Sequence, residues 1–139
     1  MLKGYHMIKI TKNIEKEIAS FLKEAVIVLA KYDIAAFIDK FDSSCVKQSE
    51  IYMILRYGNQ KQKPVYIDVP YEMTHTDALK IIQTQYGCMA YFDLFTYGMK
   101  NGITLEIQFI TDSDMFYVIL ENISFCQWHR IVKQKKKRI

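Results

Sequence analysis

"YFDLFTYGMKNGITLEIQF", residues 91–109, is the stretch on which the fold turns. Ile103, Leu105, Ile107 and Phe109 alternate with Thr104, Glu106 and Gln108, a period of two that gives a strand one apolar and one polar face. Residues 91–96 are rich in aromatics and suit a second strand, and the glycine-containing segment between the two makes the turn. The same period holds from Cys88 onward, and "DSD" (112–114) turns the chain into "MFYVILENISF" (115–125). The expected result is an antiparallel meander with one face to bury.

The first half of the chain supplies the cover. Ile14, Ile18, Phe21, Leu22, Ala25, Val26 and Leu29 recur at intervals of three and four, which lines one face of a helix. Thr11 or Asn13 is placed to cap it, and Glu15 and Glu17 suit its positive end. At Asp33, a competent cap, the pattern restarts with Ile34, Phe37, Ile38 and Phe41 as a short second helix, so the two meet at a corner near Tyr32. "QSEIYMILRYG" suits either a helix from a Ser49 cap to a Gly58 stop or a strand, and the helix is the reading adopted. "PVYIDVP" reads as an edge strand or a connection between prolines, and "LKIIQTQYG" as a strand. Helices followed by a meander make the class α+β: N-terminal helices packed on a curved antiparallel sheet of about three to five strands.

Composition narrows the function. At 139 residues and 50% hydrophobic content the chain suits a single domain, assigned to residues 1–132. The net charge of +4 is concentrated in a basic tail, residues 133–139, where Lys133, Lys135, Lys136, Lys137 and Arg138 supply five of the 19 cations. Without them 14 basic residues face 15 acidic ones, so the body carries no field to track a phosphate backbone. Nucleic acid is expected to bind only weakly, through the tail, whose like charges repel one another and bury little. Three cysteines, Cys45, Cys88 and Cys126, are widely spaced and odd in number, which suits a reducing cytoplasm rather than a disulfide framework. The N-terminus has no long apolar core, and the longest apolar run, "AVIVLA", falls far short of a membrane span. Met7 is a competent alternative start.

These segments resemble an uncharacterised bacterial domain family. In that family a helix ends in an L-x-x-x-D-Y/I corner and is followed by a D-L-W-T strand, a glycine turn, an L-T-L-E-L strand and a last strand ending I-x-x-I. "LAKYDIAAFI", "FDLFT", "GITLEIQF" and "YVILENISF" match in order, with "RYG" at the family's tyrosine–glycine and Phe95 where tryptophan is usual. The likeness spans most of residues 14–125 and implies a cystatin-like or nuclear-transport-factor-like arrangement of helix and curved sheet. Such folds host enzymes, binding modules and toxin-immunity proteins alike, so fold alone assigns no activity.

Several residues remain as candidates. Asp93, Glu106 and Glu121 fall on three successive strands, where a favourable register would gather carboxylates into an acid–base pair or cation site. The plainer alternative leaves Glu106 and Glu121 in solvent and Asp93 bonded to an amide or a tyrosine. His6, His75 and His129 are isolated; Cys126 and His129 form a C-x-x-H pair without the second pair that zinc requires, so no metal or other cofactor is expected. Each thiol sits in an apolar or strand context where burial is the default. Five scattered glycines form no phosphate-binding loop. The lack of a catalytic set points away from an enzyme. Tyr86, Tyr91, Tyr97 and Tyr117, among ten tyrosines, cluster around the hairpins and suit a protein interface or ligand cleft, with core packing the equal alternative. The expectation is a cytoplasmic protein-binding module, of the immunity-protein type, whose partner is another protein or a second copy. The alternative is a small enzyme or ligand-binding protein with a cleft centred on Asp93, beside Tyr91 or His75.

Overall fold

A computed structural model describes residues 8–9, 13–57, 64–69 and 78–125. The elements run β1 (Ile8–Lys9), α1 (Ile14–Ala30), α2 (Ile34–Asp39), β2 (Ser43–Ser44), α3 (Gln48–Tyr57), β3 (Leu79–Thr84), β4 (Gly87–Thr96), β5 (Met99–Asp112) and β6 (Met115–Phe125). Helices packed on an open sheet make the fold α+β, as the sequence implies. The sheet order is β1-β6-β5-β4-β3, with β2 also on β6. The β3–β6 meander is antiparallel throughout, whereas β2 runs parallel to β6, so the sheet is mixed. That parallel pair lay beyond sequence reading because Ser43 and Ser44 carry no strand signal of their own. They are held by flanking bonds: Asp42 and Val118 exchange N–H···O contacts of 2.8 Å, and the Cys45 amide donates to Leu120 O.

Burial follows the period of each element. Ile18, Leu22, Ala25, Val26 and Leu29 are the buried stripe of α1. Asn13 stands at its N-cap, its carbonyl accepting from the Glu17 amide, but the expected side-chain cap is not made, and Thr11 lies outside the described residues. Tyr32 turns the corner in the left-handed region (φ 62°), donates its hydroxyl to Val65 O, and is followed by Asp33, which caps α2 through the Ala36 amide at 3.1 Å. The segment beginning at Gln48 is indeed a helix, with Ile51 and Leu55 buried. Its start is not capped by Ser49, which lies inside it; Glu50 reaches back to the Lys47 amide instead, and Gly58 lies outside the described residues. Residues 64–69 are a connection rather than an edge strand, with Val65 and Ile67 buried.

On the sheet, Ala90, Phe92, Leu94, Ile103, Leu105, Ile107, Phe109, Val118 and Leu120 face the helices. Four phenylalanines join the layers edge to face: Phe21 of α1 meets Phe41 at 5.4 Å and Phe109 at 6.2 Å, and Phe109 meets Phe116 at 5.7 Å. Gly87 is required where β4 turns in from β3, because a Cβ there would lie 1.9 Å from Phe109 O. Among the described residues no helix is long and apolar enough to cross a membrane.

Because Leu105 is fully buried and Glu106 lies on the opposite face, Leu105→Ala should lower stability by about 2–5 kcal/mol. Glu106→Ala should cost under about 0.5 kcal/mol. Chemical denaturation giving equal losses would show the strand phase to be wrong.

Candidate functional site

The β4–β5 hairpin projects the most exposed aromatic surface among the described residues. Its two-residue turn places Tyr97 at φ 50° and Gly98 at φ 78°. Two positive φ values in succession match the twist of the flanking strands, but the first position normally goes to asparagine, aspartate or glycine. A tyrosine there is conformationally costly and needs outside support. Asp68 supplies it from the 64–69 connection: Oδ1 accepts the Tyr97 amide at 2.9 Å and Oδ2 accepts the Gly98 amide at 2.7 Å. The carboxylate thus fills the small anion-binding concavity that successive turn amides create.

Further bonds fix the connection to the hairpin. The Asp68 amide donates to Phe95 O at 2.8 Å, and Thr96 Oγ1 donates to Tyr66 O. Asn101 Nδ2 reaches Thr96 Oγ1, while its Oδ1 accepts from Ile103 N across the positive-φ Gly102, where the β4–β5 register shifts. At its other end the connection is tied to α3 and the helix corner by Val65 N to Leu55 O and by the Tyr32 hydroxyl to Val65 O. Burial pushes the Tyr32 phenol above its ordinary pKa, partly offset by the Arg56 guanidinium. The outcome is a parallel stack of Tyr66 on Tyr97, ring centres 5.0 Å apart and 10° from coplanar, with Met99 alongside in sequence. Tyr97 is 80% exposed, Met99 74% and Tyr66 52%.

The carboxylates of the meander are separated by their partners. Asp93 accepts from the Thr104 hydroxyl at 2.7 Å and pairs with Lys100 at 3.1 Å. Its partners are therefore a hydroxyl and an ammonium rather than an amide or a tyrosine. Glu106 accepts from Asn122 Nδ2 at 2.6 Å. Glu121 occupies a bulge, since Ile107 faces Leu120 while Glu106 already faces Asn122; it accepts from Cys45 Sγ at 3.8 Å. No group of three or more His, Cys, Asp or Glu able to hold a metal occurs among the described residues. Tyr91 lies half-buried on the helix-free sheet face, between Lys80 and Glu106 in the ladder. His75 and the basic tail residues Lys133, Lys135, Lys136, Lys137 and Arg138 lie outside the described residues, as do His6, Cys126 and His129.

Burial does not hold for every thiol. Cys88 is buried, but Cys45 is exposed, because the β2 bridge leaves the chain on the rim of the sheet. Desolvation first, and then the charge and hydrogen bond of Glu121, raise the Cys45 pKa; burial alone raises that of Cys88. Both are held as thiols rather than nucleophilic thiolates. A shallow depression of about 550 Å³ lies between α2 and the start of α3, lined by residues including Ile38, Asp42, Ser44 and Lys47, and does not include Asp93. Sequence reading found Tyr97 but missed Tyr66 and Asp68: both sit in a segment without periodic signal, and the contact that gives them meaning spans some 29 residues.

Compared with known proteins, the chain matches no family model, no curated protein and no solved structure.

Removing the clamp with Asp68→Ala should cost about 1–3 kcal/mol, and amide exchange should accelerate at Tyr97 and Gly98 ahead of the rest of β4 and β5. Uniform exchange across the hairpin would deny Asp68 that local role. Because the Glu121 charge raises the Cys45 pKa, Glu121→Gln should move the pH midpoint of Cys45 alkylation downward and speed the reaction at neutral pH. An unchanged pH profile would remove Glu121 as a cause.

Proposed function

We propose that this chain is a protein-binding module that contacts its partner through the hairpin tip formed by Tyr66, Tyr97 and Met99. The observation that carries the reading is the exposed Tyr66–Tyr97 stack, held on a turn whose two free amides are both taken by Asp68. Stacked tyrosines offer a large apolar area with two hydroxyls, and a side chain already immobilised loses little entropy on binding. Methionine beside them adapts to an irregular partner surface. The tip is favoured over the open sheet face because Met89, Tyr91 and Asp93 of β4 there are half-buried.

The partner is another protein, and the immunity-protein type is the form of module that the family resemblance suggests. A cytoplasmic setting rests on the cysteine pattern. The balanced charge of the body favours a partner recognised by shape and apolar contact over a nucleic acid. The enzyme or ligand-cleft alternative centred on Asp93 has less support, since Thr104 and Lys100 already engage that carboxylate.

Co-purification from the host, followed by quantitative binding of the captured protein, tests the reading. Tyr97→Ala and Tyr66→Ala should each weaken the complex by about 30-fold or more, as a central aromatic anchor does, with the melting temperature near that of the parent. A complex insensitive to both but lost on Tyr91→Ala would move the interface to the open sheet face.

A further inference from the structure

We propose that β3 is a self-pairing edge, along which two copies of this chain join into one continuous sheet. The proposal rests on the phase of the β3 ladder and is independent of the hairpin-tip reading. The two rims of the sheet differ. The outer side of β6 is occupied by β1, opposite Phe116 and Met115, and by β2, opposite Ile119 and Leu120. Strand β3 closes the order at the other rim, and among the described residues nothing pairs with its outer side. Such a rim is a template for a further strand. Leu79–Thr84 has few of the devices that blunt one: it contains no proline, its ladder with β4 has no register shift, and its one charge is Lys80.

The hydrogen-bond phase identifies what fits. The Asp93 amide donates to Ala78 O at 2.9 Å, and the register runs on from Leu79↔Phe92 to Thr84↔Gly87. In an antiparallel ladder, residues bonded to one neighbour alternate with residues whose N–H and C=O point to the other side. Ala78, Lys80 and Ile82 therefore spend their backbone groups on β4, while Leu79, Ile81 and Gln83 direct theirs outward. A two-fold axis through Ile81 sets Leu79 against Gln83 of the second copy and Ile81 against its own equivalent, so every outward residue meets an outward residue. The same axis sets Lys80 against Ile82 of the second copy in the closely spaced, non-bonded positions. The strand's one charge thus never meets itself, and its alkyl stem covers Ile82, which is 43% exposed in the single chain. β3 read in reverse places an apolar residue opposite Lys80 and a long amphipathic one opposite Ile82, so the strand is complementary to itself.

Sedimentation of the full chain across a concentration series tests this. The wild-type chain is expected to form a reversible dimer. Ile82→Lys, which sets an ammonium opposite Lys80 of the second copy, should weaken it roughly tenfold or more. Ile82→Glu at the same position should keep the dimer by pairing with Lys80, and Lys80→Glu combined with Ile82→Lys should restore it. Circular dichroism and thermal melting report folding of each variant. Should Ile82→Lys not fold, Gln83→Pro replaces it, since it removes an outward amide while sparing the ladder to β4, and it too should abolish the dimer. A wild-type chain that stays monomeric at the highest attainable concentration overturns the proposal. So does a dimer indifferent to a folded Ile82→Lys or Gln83→Pro variant, or one abolished instead by Tyr97→Ala.

Discussion

The burial of one face of the meander under α1 is the constraint from which the rest of the fold follows. Phe109 of β5 sits at its centre, in edge contact with Phe21 from the helix layer and Phe116 from the neighbouring strand, and Phe41 extends the contact to the end of α2. Rings packed edge to face resist sliding as well as separation, because their favourable geometry is lost with small displacements. With Phe109 fixed, the period of two places Ile103, Leu105 and Ile107 inward and commits Thr104, Glu106 and Gln108 to the other face. The Glu121 bulge accommodates this demand locally: an extra residue in β6 lets Leu120 and Ile123 both face the core although they are an odd number of residues apart.

Burial beneath the sheet also frees the far end of the hairpin from any packing role. Tyr97 and Met99 stand beyond the cover of the helices, and the turn beneath them has a backbone conformation that tyrosine does not favour. What stabilises the turn is not packing but a carboxylate on a different segment, aligned by buried Val65 and Ile67 on either side of Tyr66. The alternation of that short connection sends its valine and isoleucine to the core and its tyrosine outward, where it stacks on Tyr97. Such an arrangement holds an aromatic surface rigidly in water, which is the physical basis of the protein-binding proposal.

The sheet's two rims show how little sequence is needed to cover an edge. On β6 two pairs of residues, anchored by the Asp42–Val118 exchange and the Cys45 amide, occupy the outward backbone groups. That same placement lifts Cys45 out of the core and beside Glu121, where it is kept as a thiol. Near the end of β4 the 64–69 connection bonds to Phe95, while the phase of β3 leaves Leu79, Ile81 and Gln83 facing outward.

The helices and the meander were legible in the sequence because each is encoded by a local period. Ile18, Leu22, Ala25 and Leu29 declare α1, Asp33 declares the start of α2, and Ile103 to Phe109 declare the buried face of β5, all through neighbours within a few residues. Tyr97 was legible as a candidate only as one of the tyrosines clustered around the hairpins. The partners of these elements were not legible. Asp68 reads as an ordinary acid between apolar residues, Ser43 and Ser44 as a loop, and Glu121 as a candidate carboxylate on a regular strand, with no sign of the bulge it occupies. Their roles arise only when segments distant in sequence are brought together, by Tyr97 and Gly98 over Asp68 and by Val118 over Asp42. Periodicity depends on which side of an element meets apolar surroundings, and a single chain segment carries that information. A hydrogen bond between distant segments depends on register, bulges and turn geometry summed along the chain, which only the tertiary structure decides.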